Sequence, residues 1–131
     1  MILAALVGCV VGAVIIALLL QSGMLAERSG AAVLLAAIAV FYPVFAAAEG
    51  DVAEAALHLV IFGAFAWLAV RGFHRGMHLI AGGLLAHGLF DLGFLALAAP
   101  GPDWWPPFCA TVDIVAGAAL IRLIQTGRVP A

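Results

Sequence analysis

The sequence predicts an all-α integral membrane bundle of five transmembrane helices. Of the 131 residues, 67% are hydrophobic and 9% charged, and lysine is absent. The mean hydropathy is +1.27. These values lie outside the range of soluble domains. The apolar residues also fall into five runs, each close to the roughly 20 residues that a bilayer-spanning helix needs.

The five runs form one transmembrane domain over residues 1–131. The helices are predicted over residues 2–20, 31–48, 52–70, 79–99 and 108–124. Segments with turn-forming or charged residues separate them, at 21–30, 49–51, 71–76 and 100–107. Proline at position 43 removes a backbone donor, so the second helix is expected to kink there.

The arginines indicate how the helices are oriented. If five helices alternate in direction, all arginines fall on one side of the membrane: Arg28, Arg71, Arg75, Arg122 and Arg128. The positive-inside rule makes that side cytoplasmic. We therefore expect a multi-pass protein of the bacterial cytoplasmic (inner) membrane, with the amino terminus outside and the carboxyl terminus in the cytoplasm.

Ionisable side chains share one depth in the predicted bundle. Counting ~1.5 Å per residue from the outer helix ends places His58, Asp91 and Asp113 roughly 8 to 12 Å deep. His87 lies one turn deeper than Asp91, and Glu54 one turn shallower than His58. Each such group costs roughly 2.5 to 3.5 kcal/mol on insertion scales, so groups of this kind usually face one another and serve a site. The alignment predicts an outward-opening polar pocket.

Two histidines and several carboxylates predict a divalent-metal site in this pocket. We expect His58, His87, Asp91 and Asp113 to ligate zinc, iron or manganese, which accept mixed nitrogen and oxygen donors. Cys109, one turn before Asp113, is a further candidate. An open coordination position would suit hydrolysis of an amphiphilic substrate from the bilayer, with Glu54 and Asp91 as predicted catalytic residues.

Structural interpretations compete with these roles. Glu54 follows Asp51 by three residues, as in a helix-capping box. The two histidines suit hydrogen bonds between helices. The motif from Gly8 to Gly12 favours close helix approach and predicts a homo-oligomer through these two glycines.

Other functions fit the same residues. Intramembrane Asp, Glu and His also form proton relays, so a proton or cation translocator is one alternative. A haem between His58 and His87 would make an electron carrier. A third alternative is a non-catalytic accessory subunit of a membrane complex. The expected partners are lipid and small amphiphiles, with no nucleic acid.

The stretch L-L-A-H-G-L-F-D, a proline-rich aromatic loop and P-P-F-C-A-T-V-D together resemble an uncharacterised family of small bacterial multi-helix membrane proteins. Its members share H-x-x-x-D, a proline loop and C-x-x-x-D. The resemblance covers about residues 79–121 and implies that His87, Asp91, Cys109 and Asp113 act as a unit. A histidine pair that often follows the first aspartate in that family is replaced here by Leu92-Gly93-Phe94.

Overall fold

A computed structural model describes residues 1–95 and 97–131. Over these residues the chain forms six helical segments: α1 (Ile2–Gln21), α2 (Ser29–Ala39), α3 (Phe41–Glu49), α4 (Val52–Arg75), α5 (Met77–Gly93) and α6 (Trp105–Gln125). The predicted all-α bundle is confirmed. Segments α2 and α3 together occupy the second predicted helix.

Within the described residues, four helices are long and apolar enough to cross a membrane, by length and composition. They are α1, the combined segment α2–α3, α4, and α6. The remaining predicted span, residues 79–99, corresponds to α5, which ends at Gly93 after 17 residues. The helix ends earlier than predicted, because the backbone N–H groups of Phe94 and Leu95 donate hydrogen bonds to carbonyls only three residues back. The acceptors are the carbonyls of Asp91 and Leu92. Residue 96 lies outside the described residues.

Helices α5 and α6 form the centre of the bundle. They pack on each other, α1 packs on α6, and α4 packs on α5, while α2 contacts α4 and α5 and α3 contacts α4. About half of the residues of α5 and α6 are buried, but only three in α1 and three in α4. The apolar outer faces of α1 and α4 therefore suit contact with lipid.

The second predicted helix is broken at Val40. Proline 43 has no N–H to donate to the carbonyl of Ala39, so the regular bonding pattern lapses there. The break confirms that this helix is not continuous, as the position of the proline predicted. It also directs the side chain of Tyr42 into the bundle, where only 1% of it is exposed.

Gly8 and Gly12 contact α6 of the same chain. A Cβ atom on Gly12 would lie 2.7 Å from the carbonyl oxygen of Val112, and one on Gly8 would overlap Thr111 and Phe108. The hydroxyl of Thr111 donates to the carbonyl of Ala5 across this contact at 2.9 Å. The predicted homo-oligomer through Gly8 and Gly12 is therefore not supported, because α6 already covers the two glycines.

The two ends of the bundle differ in charge. The arginine end comprises the five arginines, which occupy the α1–α2 connection, the last two turns of α4, the last turn of α6 and the segment after α6. The acidic end comprises Glu49, the last residue of α3, Asp51 in the α3–α4 connection and Asp103 in the α5–α6 connection. The side chain of Glu49 accepts a hydrogen bond from the backbone N–H of Gly101 at 2.7 Å, which joins these two connections.

Candidate metal centre

Four side chains from α5 and α6 converge in the centre of the bundle. We call them the polar group: His87, Asp91, Cys109 and Asp113. On each helix the two members are four residues apart, so they lie on one helix face. One ligand atom from each of the four lies within 4.8 Å of the others. All four are at most 2% exposed, so the group is closed to solvent.

The imidazole of His87 holds the polar group together. Its Nδ1 lies 2.7 Å from Oδ2 of Asp113 and 3.4 Å from Oδ2 of Asp91. The thiol of Cys109 donates a long hydrogen bond of 4.0 Å to the same oxygen of Asp113. One histidine therefore faces two carboxylates and a thiol in a space from which water is excluded.

Tyr42 of α3 positions Asp91. Its hydroxyl donates to Oδ1 of Asp91 at 2.8 Å. Its ring stacks on the imidazoles of His58 and His87, with centroid distances of 5.2 and 6.4 Å. Because Oδ1 of Asp91 is engaged by the hydroxyl, Oδ2 remains the oxygen that faces His87. This arrangement resembles the outer hydrogen bonds that orient metal-ligating carboxylates.

Gly88 allows α5 to approach α6 beside the polar group. A Cβ atom at this position would lie 3.0 Å from the carbonyl oxygen of Ala110 and 3.1 Å from Cβ of Asp113. A larger side chain would therefore push the two helices apart. The neighbouring residue His87 reaches Asp113 because this contact is so close.

Two carboxylate oxygens of the polar group have no hydrogen-bond partner in the described part of the chain. They are Oδ2 of Asp91 and Oδ1 of Asp113. A buried polar atom without a partner is costly, and a buried carboxylate more so. Each oxygen is thus available to a cation, and the four residues could hold a metal ion.

Glu54 and His58 form a separate pair on α4. Oε1 of Glu54 lies 3.2 Å from Nε2 of His58, and the Glu54 side chain is 39% exposed while that of His58 is 2% exposed. Asp51 caps the helix by accepting a hydrogen bond from the Glu54 backbone N–H at 2.9 Å. One half of the capping box is present, but the Glu54 carboxylate reaches forward to His58 instead of back to Asp51.

The structure brings together three of the four predicted ligands, His87, Asp91 and Asp113. It places them with Cys109, the further candidate. His58 lies outside the polar group, beyond the ring of Tyr42. The predicted outward-opening pocket is instead a buried group, because α3, α5 and α6 close around it. The sequence analysis did not predict that Tyr42 contacts the polar group, and considered this region only as a kink in the second helix. The depth of Tyr42 could have indicated the contact, since Tyr42 precedes the end of α3 by seven residues, roughly 10 Å.

Comparison of this chain with protein-family models, curated proteins and solved structures finds no match. The resemblance of residues 79–121 to small bacterial membrane proteins therefore stays a prediction. The geometry of the polar group is what indicates a site in this chain.

Proposed function

We propose that this is a membrane protein that binds one divalent transition-metal ion through His87, Asp91, Cys109 and Asp113. The observation that carries the proposal is a pair of buried carboxylate oxygens that have no hydrogen-bond partner among the described residues, Oδ2 of Asp91 and Oδ1 of Asp113. The contact of Oδ2 of Asp91 with Nδ1 of His87 is long, at 3.4 Å. Both belong to residues that are 0% exposed. A cation placed among the four side chains would satisfy both oxygens at once.

Charge balance supports the proposal. The chain has no lysine, and its five arginines all belong to the arginine end, away from the polar group. His87 is the one basic side chain within the group, so two ionised aspartates would leave excess negative charge in a medium of low dielectric constant. A divalent cation would offset that charge, which is the same reason that buried acids commonly pair or coordinate metals.

The donors favour zinc or iron over manganese. Imidazole and thiolate suit zinc and iron, whereas manganese prefers oxygen donors. In a tetrahedral zinc site the donor atoms stand about 3.3 to 3.8 Å apart, as follows from metal–donor distances of ~2.0 to 2.3 Å. The four donors here lie within 4.8 Å of one another. Movements of about 1 Å would therefore suffice to close them around an ion.

The closed surroundings of the polar group favour a structural metal ion over a catalytic one. Four protein donors fill a tetrahedral site completely, whereas catalytic zinc keeps one position for water or substrate. The hydrolysis of an amphiphilic substrate, with Glu54 and Asp91 as catalytic residues, would require one donor to leave. Glu54 also pairs with His58, and both residues lie on α4, outside the polar group.

The haem alternative fits the packing poorly. Tyr42 stacks on both imidazoles, Phe65 packs edge-on against His87 at 4.7 Å, and Phe94 lies 5.8 Å from His58. These rings occupy the space that a porphyrin between the two histidines would need.

Proton transfer across the membrane also lacks support. Among the described residues, the buried side chains from the polar group towards the arginine end are apolar, and they include Leu35, Ile80, Leu84 and Leu120.

The proposed location is a bacterial inner membrane, with the acidic end and amino terminus outside and the arginine end in the cytoplasm. The collection of all five arginines at one end supports this orientation through the positive-inside rule. Single cysteines placed at residues 2 and 130, in a chain lacking Cys9 and Cys109, would be labelled with an impermeant thiol reagent. In intact cells only residue 2 should react, and labelling of residue 130 alone would reverse the orientation.

Elemental analysis of the protein purified in mild detergent tests the metal site. We expect one equivalent of zinc or iron, or stoichiometric uptake of Co²⁺ by the chelator-treated protein with the absorption of a cobalt–thiolate bond. Circular dichroism would establish that the helices are intact. A folded protein that contains no metal and takes up neither Zn²⁺ nor Co²⁺ would contradict the proposal.

A further inference from the structure

We infer that the cavity at the acidic end is a vestibule in which a hydrated divalent cation sits before it reaches the polar group. This inference rests on the proposed metal site and adds the route by which the ion arrives. The cavity has a volume of about 310 Å³, and its lining includes Phe94, Leu95, Asp103 and Pro106. That volume is several times the roughly 30 Å³ that one water takes in the liquid, so a cation fits with water around it.

The floor of the vestibule lies directly above two proposed ligands. Phe94 and Leu95 follow Asp91 by three and four residues, and Pro106 precedes Cys109 by three. Each interval is about one helical turn, or ~5.4 Å along the axis. An ion that leaves the vestibule towards the bundle centre therefore meets Asp91 and Cys109 first.

Phe94 closes the passage between the vestibule and the polar group. Its ring packs against Tyr42, Phe90 and His58 at centroid distances of 5.1, 4.9 and 5.8 Å. The same residue lines the vestibule on its other side. Because Phe94 follows the last residue of α5, its side chain can turn aside without breaking that helix.

The charge of the acidic end suits a cation. Asp103 lines the vestibule, and Glu49 and Asp51 occupy the same end. Met1 also lines the vestibule, but its single amino group faces three carboxylates at this end, so the net charge is negative. A net charge of one sign raises the local concentration of counter-ions and their rate of association. The vestibule therefore favours cations over anions and neutral solutes.

A second cavity offers a competing route. It has a volume of about 250 Å³, is lined by apolar side chains of α1, α2 and α3 together with Trp105, Phe108 and Val112, and also reaches Cys109. A hydrated cation would have to shed its water against hydrocarbon there, which is costly. The two cavities thus predict different effects of blocking substitutions, one at Ala99 in the vestibule and one at Ala37 in the apolar cavity.

Stopped-flow uptake of Co²⁺ by the metal-free protein distinguishes the two routes. Ala99→Trp should slow both association and dissociation of Co²⁺ by about tenfold or more, because the larger side chain narrows the vestibule and the passage opens less often. The equilibrium affinity should not change, since both rates fall by the same factor. Ala37→Trp, the matched control, should change neither rate. The opposite pattern, with slow uptake only in Ala37→Trp, would overturn the inference.

A milder pair of variants tests the charge of the vestibule. Asp103→Asn should slow association several-fold at low ionic strength and lose this effect near 1 M salt, where the Debye length falls to ~3 Å. Asp51→Asn is the matched control, since it removes the same charge at the same end, lies outside the vestibule lining and keeps a capping side chain. Equal rates in the two variants at low salt would overturn the vestibule.

The affinity and the rates separate this inference from the proposed function. Stoichiometric Co²⁺ binding with equal uptake rates in all four variants would keep the metal site and reject the vestibule. Failure of the unaltered protein to bind Co²⁺ or Zn²⁺ would reject both.

Discussion

Helices α4 and α5 each carry a pair of ionisable residues, and the two pairs differ in burial and in the residues they contact. Glu54 and His58 on α4, and His87 and Asp91 on α5, are each four residues apart and occupy the same half of the bundle. The α5 pair is at most 1% exposed and meets the other two members of the polar group, Cys109 and Asp113 of α6. The α4 pair has a partly exposed carboxylate and meets aromatic rings. A spacing of four residues is thus enough to pair two ionisable side chains on one helix. A candidate site forms only where a neighbouring helix presents further polar side chains to that pair.

The largest effect should come from the histidines. His87→Ala should weaken Zn²⁺ or Co²⁺ binding by more than the ~10 to 100-fold that outer partners typically cost, because it removes a ligand. His58→Ala, the matched change on α4, should leave the metal affinity within a few-fold of the original. Isothermal titration of the metal-free proteins measures both. Equal losses of metal affinity in the two variants would contradict the difference between α4 and α5. They would indicate that His58 also binds the metal.

The polar group should also respond as a unit. His87→Ala and Asp91→Ala combined should cost little more metal affinity than either alone, since residues in one site are strongly non-additive. The same titrations supply this double-mutant cycle. Additive losses would show that the two residues bind separate ions or none.

A second expected effect concerns the approach of α5 to α6. Gly88→Ala should destabilise the bundle by about 1 to 3 kcal/mol, because the added methyl group meets Ala110 and Asp113 in a packed interface. Gly82→Ala on the same helix is the control, since a Cβ atom there meets nothing within 4 Å. Unfolding in mixed detergents measures the difference. Equal stability of the two variants would mean that the close approach is not what forms the site.

Removal of one hydroxyl should have an intermediate effect. Tyr42→Phe keeps the stacked ring but frees Oδ1 of Asp91, so metal affinity should fall ~10 to 100-fold, as for other outer partners of ligands. Phe90→Leu, which alters a ring beside Tyr42 without touching a hydrogen bond, should change the affinity less. A Tyr42→Phe protein with full affinity would show that Asp91 needs no orienting partner.

The smallest effect is expected at Glu54. Glu54→Gln should cost at most about 1 kcal/mol of stability, because Asp51 still caps the helix through the backbone N–H at position 54. The metal affinity should not change. Thermal unfolding and metal titration of one sample give both values. A loss of metal affinity comparable with that of His87→Ala would make the two pairs equivalent after all.

The sequence predicted the fold class and the convergence of His87, Asp91 and Asp113, because these depend on hydropathy and on the rise of a helix. It did not predict how each helix is rotated. In α1 the apolar residues surround the axis, so nothing in the pattern distinguishes a lipid-facing side from a buried one. His58 of α4 was grouped with His87 by depth alone, although it faces Tyr42 and Glu54. Tyr42 was missed because its position depends on the break beside Pro43.

The depth of the polar group would make metal binding sensitive to membrane voltage. Asp113 lies eight residues inside α6, roughly 12 Å along the axis, in a hydrocarbon layer of ~30 Å. A divalent ion moving there from the acidic end crosses about two fifths of the field, which amounts to about 1.8 kcal/mol per 100 mV. In vesicles of uniform orientation, a potassium diffusion potential should shift the metal affinity about twentyfold per 100 mV. The sign of the shift would report which compartment the acidic end faces.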